Sequence, residues 1–445
     1  MSDQKRPDTP GGTGKPRDKA QHTLAGTGKL DAGKILLEEL TAGPAADLPA
    51  WRRWLEVVSI PTLAVLTGLI LGAIVIAGTS QDVYAAFGQS IGDGFAAVFG
   101  EVVRAYQALF EGSIGSPARI IRALQGDDAL ELRRSFNPIL ESLVASTPFI
   151  FASLAVALGF QTGLFNIGAE GQLFIGAIFS VFVGFTLTGL PPIVHIPLAL
   201  LAGMLGGAIW GFIPGWLKAK TGGHEVINTI MMNFIAFRLS EWLLSGPMKR
   251  PDSFNPISPT IQESAMLPRF FENPIRFHGG FFLALFAAWL VYWFLFKSRW
   301  GFDLRSVGAN PNASRYAGMS ITLSIVLAMS LSGALAGLAG ANEVLGLNHN
   351  LAFAFSSGYG FDSIALALLG KSHPLGVVLA SLLFGTLRNG ATRMQVAAGI
   401  PIDIITVLQA LILVFIAAPA IVRTIYRLKA PPHAEEGIFA RGWGG

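Results

Sequence analysis

The sequence predicts an all-α polytopic membrane protein with about nine or ten transmembrane or re-entrant helices, some of them broken, and a helical peg on the cytoplasmic side. Three observations carry this reading. Across 445 residues, 52% are hydrophobic and 13% charged, with a mean hydropathy of +0.53, whereas an ordinary soluble domain carries about a quarter charged residues. Apolar runs close to the roughly 20 residues that a spanning helix needs recur between 57 and 421. Lysine and arginine collect in alternate short loops, as they do on the cytoplasmic face of a bilayer. The same pattern accounts for the net charge of +4 and the pI near 9.3 without a nucleic-acid partner, since no basic, aromatic-interleaved stripe accompanies the charge. Cysteine is absent, which removes disulfides, thiol nucleophiles and cysteine-ligated metal.

In chain order, residues 1–50 are polar, Gly- and Pro-rich and nearly without aromatics, and read as a disordered cytoplasmic tail with no apolar core for a secretory signal. Two Gly-Lys fragments there, Gly14-Lys15 and Gly28-Lys29, fail the phosphate-loop pattern. Pro16 and Leu30 replace its hydroxyl residue, and Thr9 and Thr23 replace its first glycine. The transmembrane domain, 51–425, opens with the aromatic and basic collar Trp51, Arg52, Arg53 and Trp54, which starts the first span, 57–77, from inside. Residues 82–134 are amphipathic with balanced charge and suit an external segment holding an interfacial helix. Spans follow at 139–160, 172–188, 193–217, 226–244, 280–296 and 321–345. The stretch 361–370 is too short to cross alone, so it and 374–388 form a re-entrant hairpin or a broken helix, and a last span runs 402–421. This parity puts the proline-rich loop 245–278 outside, and the basic loop 298–320 and the tail 426–445 inside. A faint repeat, Pro197-Leu198-Ala199 against Pro374-Leu375-Gly376, hints at duplicated halves.

Chemistry concentrates in the stretch from Gly163 to Gln172. Three glycines and the polar Asn166, Glu170 and Gln172 cannot face lipid, because backbone and carboxylate would go unsatisfied there. Two readings stay open: a gate in which these side chains and Phe165 meet substrate, or a polar turn whose Glu170 caps a neighbouring helix. Asn228, Asn233, Asn342 and Glu343 are further polar positions on spans, suited to a hydroxyl-rich ligand or to bonding an adjacent helix. Arg238 and Glu241 read as a local ion pair. Gly203, Gly207, Gly211 and Gly215 recur every fourth residue and predict close helix packing, as do Gly333, Gly337 and Gly340. In the loop 298–320, Asn310 is a helix cap, Pro311 suits the first helical position and Gly318 suits a left-handed stop, so a short stiff peg projects into the cytoplasm. The seven histidines form no metal-binding or catalytic spacing, so neither a metal site nor an enzyme is expected.

The run from Phe165 to Gln172, the loop from Gly301 to Gly318, and the segments His224 to Asn228, Asn342 to Gly346 and Gly358 to Asp362 carry a resemblance over about residues 55 to 425. They resemble the permease subunit of bacterial ABC importers of the branched-chain amino acid and simple-sugar group, most of all its nucleoside, basic-membrane-lipoprotein-type uptake members. The resemblance implies a multi-pass protein of the bacterial inner membrane with both termini cytoplasmic. It implies a separate ABC ATPase subunit that binds ATP and Mg, a second, related permease and an extracytoplasmic substrate-binding lipoprotein. Gly301, Asp303, Arg305, Gly308, Asn310, Pro311, Ala313, Ala317 and Gly318 would form the ATPase-coupling loop, and the cargo would be a nucleoside, then a simple sugar. A branched-chain amino acid permease or a non-ABC secondary carrier is the alternative.

Overall fold

The computed structural model describes residues 50–126, 128–353 and 355–427, so the N-terminal Gly-Lys fragments and nearly all of the two tails lie outside the described residues. Backbone contacts divide the chain into Met1–Val57 and Val58–Gly445. Of the first unit only the helical residues from Ala50 are described. The second is built of α-helices, and the described residues hold no strand beyond two isolated bridges in and beside the loop before Gly280.

Helix α1 (Ala50–Thr79) carries the first span. The segment after it is three helices: α2 (Gln81–Gln89), α3 (Ile91–Ser113) and α4 (Pro117–Gln125). The central helix α5 (Ala129–Gln161) then starts where the Asp128 carboxylate accepts a hydrogen bond from Leu130 N at 2.8 Å. That cap moves 129–134 out of the expected external segment and into the span. Behind it come α6 (Ala169–Thr186), α7 (Pro192–Thr221) and α8 (Glu225–Ser245), and after a long loop α9 (Gly280–Lys297). Helices α10 (Arg299–Ala309) and α11 (Pro311–Tyr316) fill the loop where a single short helix is expected; the Asn310-Pro311 step divides them. Next are α12 (Ile321–Asn342), continued by a π-helical turn over Glu343–Asn348, then α13 (Tyr359–Leu369) and α14 (Pro374–Ala398). The chain closes with α15 (Ile402–Ala417) and α16 (Pro419–Ile425).

Seven helices among the described residues are long and apolar enough to cross a membrane, and two shorter apolar helices, Tyr359–Leu369 and Asp403–Ile416, accompany them. Helix α8 forms as expected but is not among the seven. Two further boundaries and the expected repeat differ from the sequence reading. Helix α14 runs past Arg388 to Ala398, because Arg388 and Arg393 find the carboxylates of Asp362 (3.5 Å) and Glu111 (3.1 Å) and need not mark the end of a span. The last expected span breaks at Ala418, where Pro419 begins a new helix. The faint repeat occupies unlike positions, Pro197 inside α7 and Pro374 at the first residue of α14.

The core is the middle of α5, where Phe149 to Leu158 are buried almost without a break, packed with α6 and α12. Glycine decides how close the other helices come. A Cβ on Gly207 would run into the carbonyl of Gly333, and one on Gly337 into the carbonyl of Gly203. Thus α7 and α12 touch backbone to backbone, the contact that small residues allow between membrane helices. The outer faces of α7, α8 and α9 expose Ile193, Leu205, Phe234, Trp242, Phe286 and Trp289, apolar side chains that suit lipid.

Candidate functional site

The turn between α5 and α6 folds around Asn166, which is fully buried. Its Oδ1 accepts from Gly168 N at 2.9 Å and shapes the turn. Its Nδ2 donates to Gln172 Oε1 at 2.9 Å and to Ser332 Oγ on α12 at 2.8 Å, and Ser332 in turn donates to Ala155 O on α5 at 2.6 Å. From α8, Asn233 accepts from Gly171 N at 2.8 Å and donates to Ile167 O at 3.0 Å. Gly171 N is one of the N–H groups that the first turn of α6 leaves without a helical partner, so Asn233 satisfies it from outside.

Glu170 completes this knot. It is 2% exposed, and its carboxylate accepts from Ser356 Oγ and from Gly360 N, each at 2.5 Å. Gly360 lies in the first turn of α13, and a Cβ there would strike the backbone of Glu170. The N-termini of α6 and α13 therefore abut, their partial positive charges facing each other, with one carboxylate between them. Of the two readings open for this stretch, the geometry is that of the cap. Asn166, Gln172, Asn233 and Glu170 come together and spend their polar groups on one another, on backbone and on the hydroxyls of Ser332 and Ser356.

The other predicted positions lie elsewhere. Phe165 is half-buried with its ring 5.1 Å from that of Phe160. Asn228 stands near Gly223 at the start of α8, outside the knot. Asn342 is buried at the end of α12 with neither amide atom hydrogen-bonded, and Glu343, also buried, opens the π-helical turn. Arg238 and Glu241 do pair, at 2.7 Å.

Sequence reasoning missed a second cluster, centred on Arg388 of α14. Its guanidinium lies over the rings of Phe149 (5.4 Å) and Tyr359 (5.3 Å), pairs with Asp362 at 3.5 Å and donates to Ser357 Oγ. Phe149 and Tyr359 meet edge to face at 5.1 Å, and Glu343 is within electrostatic reach of both Arg388 and Tyr359. The signal was present: a cation within an apolar helix is a functional candidate by default. Ending that span at Arg388 turned it into a flanking charge.

The peg has the opposite character. Asn310 Oδ1 accepts from Ala313 N at 3.0 Å, Pro311 takes the first helical position, and Gly318 closes the unit at φ +79°. Asn310, Pro311, Ala313, Ala317 and Gly318 are all exposed, and Tyr316 is 95% exposed. Gly301, Arg305 and Gly308 instead anchor its base. A Cβ on Gly301 would meet Phe294 O. Arg305 donates to Leu295 O at 3.0 Å and lies 4.8 Å over the Phe296 ring. A Cβ on Gly308 would lie 2.5 Å from Thr162 C and 2.7 Å from Gly163 N, so the base of the peg touches the backbone of the α5–α6 turn three residues before Asn166. Asp303 is half-buried on α10.

Outside the spans, burial and the nearby Arg269, His349 and Arg276 hold His278 neutral, its pKa lowered to about 4; its Nδ1 accepts from Gly280 N at 3.1 Å. No group of three or more histidine, aspartate or glutamate side chains among the described residues could hold a metal ion.

Comparison with known proteins identifies the family. The family described as branched-chain amino acid transport system / permease component matches residues 138–417. The chain is 44% identical over 291 residues to the guanosine ABC transporter permease protein NupP of Bacillus subtilis, covering 64% of this chain and 82% of that one. It is 32% identical over 387 residues to the glucose ABC transporter permease protein TsgB13 of Haloferax volcanii, covering 85% and 90%. To the nucleoside ABC transporter permease protein NupB of Lactococcus lactis it is 31% identical over 393 residues, covering 86% and 97%. No solved structure matches. With a family match that spans the knot, the peg and the Arg388 cluster, the chain belongs to the branched-chain amino acid transport system / permease component family and is a permease subunit of an ABC importer.

Proposed function

We propose that this permease carries nucleosides inward, and that the 311–316 peg is where a separate ATPase subunit drives it. The observation that carries the coupling half is the contact of Gly308 with Thr162 and Gly163. A push on the exposed peg passes through backbone into the turn that Asn233, Asn166 and Glu170 lock to α8, α12 and α13 respectively. Packed units of this kind move as rigid bodies between discrete arrangements, so the whole knot shifts with the peg. The nucleoside half is supported by the guanosine and nucleoside permeases among its relatives. It is also supported by the Phe149, Tyr359 and Arg388 cluster, where ring faces and guanidinium N–H groups suit a base rich in nitrogen and oxygen.

ATP and Mg belong to the ATPase subunit in this reading. A second, related permease completes the path, and an extracytoplasmic binding lipoprotein delivers the cargo. The termini and the peg face the cytoplasm of a bacterial inner membrane, and the 245–278 loop faces outward. The test is uptake of radiolabelled purine and pyrimidine nucleosides, ribose, glucose and leucine by cells with and without the gene. Loss confined to nucleosides is expected. Loss confined to a sugar, the cargo class of the Haloferax relative, would keep the importer and replace its cargo, and loss confined to leucine would make it an amino acid permease.

A further inference from the structure

A cleft of about 430 Å³ lies between α4 and the first turns of α5, lined by Arg119, Arg122, Glu131, Arg134 and Ser135. Three guanidinium groups face one carboxylate there. Among the described residues none of the three arginines has an ion pair, although Arg133 next to them pairs with Glu272 at 3.7 Å. Arg122 Nε donates to Ala118 O at 3.2 Å, which steadies the side chain and leaves its terminal nitrogens unengaged. Ser135 is 4% exposed and its Oγ has no hydrogen-bond partner, an arrangement that costs free energy unless a ligand supplies an acceptor. Clustered like charges repel, and the planar fork of arginine matches the oxygens of a phosphate. From these observations we infer that the cleft binds a phosphate group.

The surroundings say which bearer fits. On α4, Arg119 and Arg122 are three residues apart on one face, while Ile121 (54% exposed) and Leu124 (64% exposed) project from another. A short helix with a basic face and an apolar face lies in the plane of the membrane interface. The apolar window of α5 starts at Leu130, so Arg134 and Ser135 stand in its first turns, at headgroup depth. Phosphate oxygens in the cleft would thus leave acyl chains running along Ile121 and Leu124. The chemistry is that of the phosphodiester of an anionic phospholipid; free inorganic phosphate shares it. This site lies at the end of α5 opposite the Gly163 turn and is independent of what the permease carries.

The experiment follows the thermal unfolding midpoint of the purified full-length chain in neutral detergent as short-chain phosphatidylglycerol, short-chain phosphatidylcholine or inorganic phosphate is added. Phosphatidylglycerol is expected to raise the midpoint and phosphatidylcholine to leave it in place. The triple variant Arg119→Gln, Arg122→Gln, Arg134→Gln should need at least about tenfold more phosphatidylglycerol for the same rise, given that charge-assisted hydrogen bonds are the strong ones. Should the triple variant fail to fold, Ser135→Ala alone should weaken the response about fivefold, the effect of one lost hydrogen bond. A midpoint raised by millimolar inorganic phosphate and lost in the variants would support the phosphate site with a soluble bearer. Equal response to both lipids, or a phosphatidylglycerol response unchanged in the variants, would overturn the inference.

Discussion

Asn166 and Asn310 begin with the same local act. Each sits just before a helix and turns its Oδ1 onto a backbone N–H, of Gly168 at 2.9 Å and of Ala313 at 3.0 Å. From there the two regions diverge. The rest of the Asn166 amide goes to Gln172 and Ser332, and its neighbours Glu170 and Asn233 are equally spent, so these side chains tie the turn to α8, α12 and α13 with none of their own polar atoms left over. Around Asn310 the side chains are exposed except for the buried Ser314, and the unit is anchored at its base, at Gly301, Arg305 and Gly308. A polar, glycine-marked motif in an apolar sequence is therefore not a ligand site by composition. What separates a lock from a docking surface is whether its donors and acceptors already have partners.

The sharpest way to break that comparison is Asn166→Leu. It removes one side chain and leaves Gly168 N and the Gln172 and Ser332 side chains short of partners in a buried site, at about 1–3 kcal/mol each. Folded protein recovered by size-exclusion chromatography should fall nearly to nothing; normal recovery with altered uptake would turn the knot back into a gate. Next is Glu170→Gln, which keeps one acceptor but sets an amide N–H₂ against the donors Ser356 Oγ or Gly360 N. A loss of about 1–3 kcal/mol is expected, with thermal midpoint and uptake declining together, whereas a full midpoint with abolished uptake would give Glu170 a transport role of its own.

Gly308→Val tests the joint between the regions. Its side chain would press on Thr162 and Gly163, a misfit worth about 1–3 kcal/mol, and uptake should drop at least about tenfold if the joint transmits motion. Wild-type uptake at reduced stability would make the contact packing alone. The mildest change is Asn310→Ala, which removes a cap worth about 1 kcal/mol to a short helix. The global thermal midpoint should hold while ATPase affinity falls several-fold; a change in midpoint with normal affinity would show that the peg supports the fold instead.

What could be read from the chain follows the range of the interactions. The peg was legible because Asn310, Pro311 and Gly318 act on residues within a few positions of themselves. The glycine spacing of α7 was legible because it repeats along one helix, though its partner α12 needed the structure. Glu170 was flagged, yet its acceptor role depends on Ser356 and Gly360, more than 180 residues away, and both readings of it remained open. Helix α3 is expected only as an interfacial helix in an amphipathic external segment, since Glu111 looks like surface until Arg393 is seen beside it. Arg388 was lost for the same reason. By sequence, a charge in an apolar run marks its end, whereas Asp362, Ser357 and two aromatic faces satisfy this one within the helix bundle.

The most direct measurement is co-purification of the ATPase subunit with an Ala313→Glu chain, with thermal midpoint and nucleoside uptake taken on the same preparation. Ala313 is exposed on the peg and its side chain supports nothing beneath it. The account predicts an unchanged midpoint, loss of the ATPase and loss of uptake. An Ala313→Glu chain that still holds its ATPase and transports at the wild-type rate would contradict it.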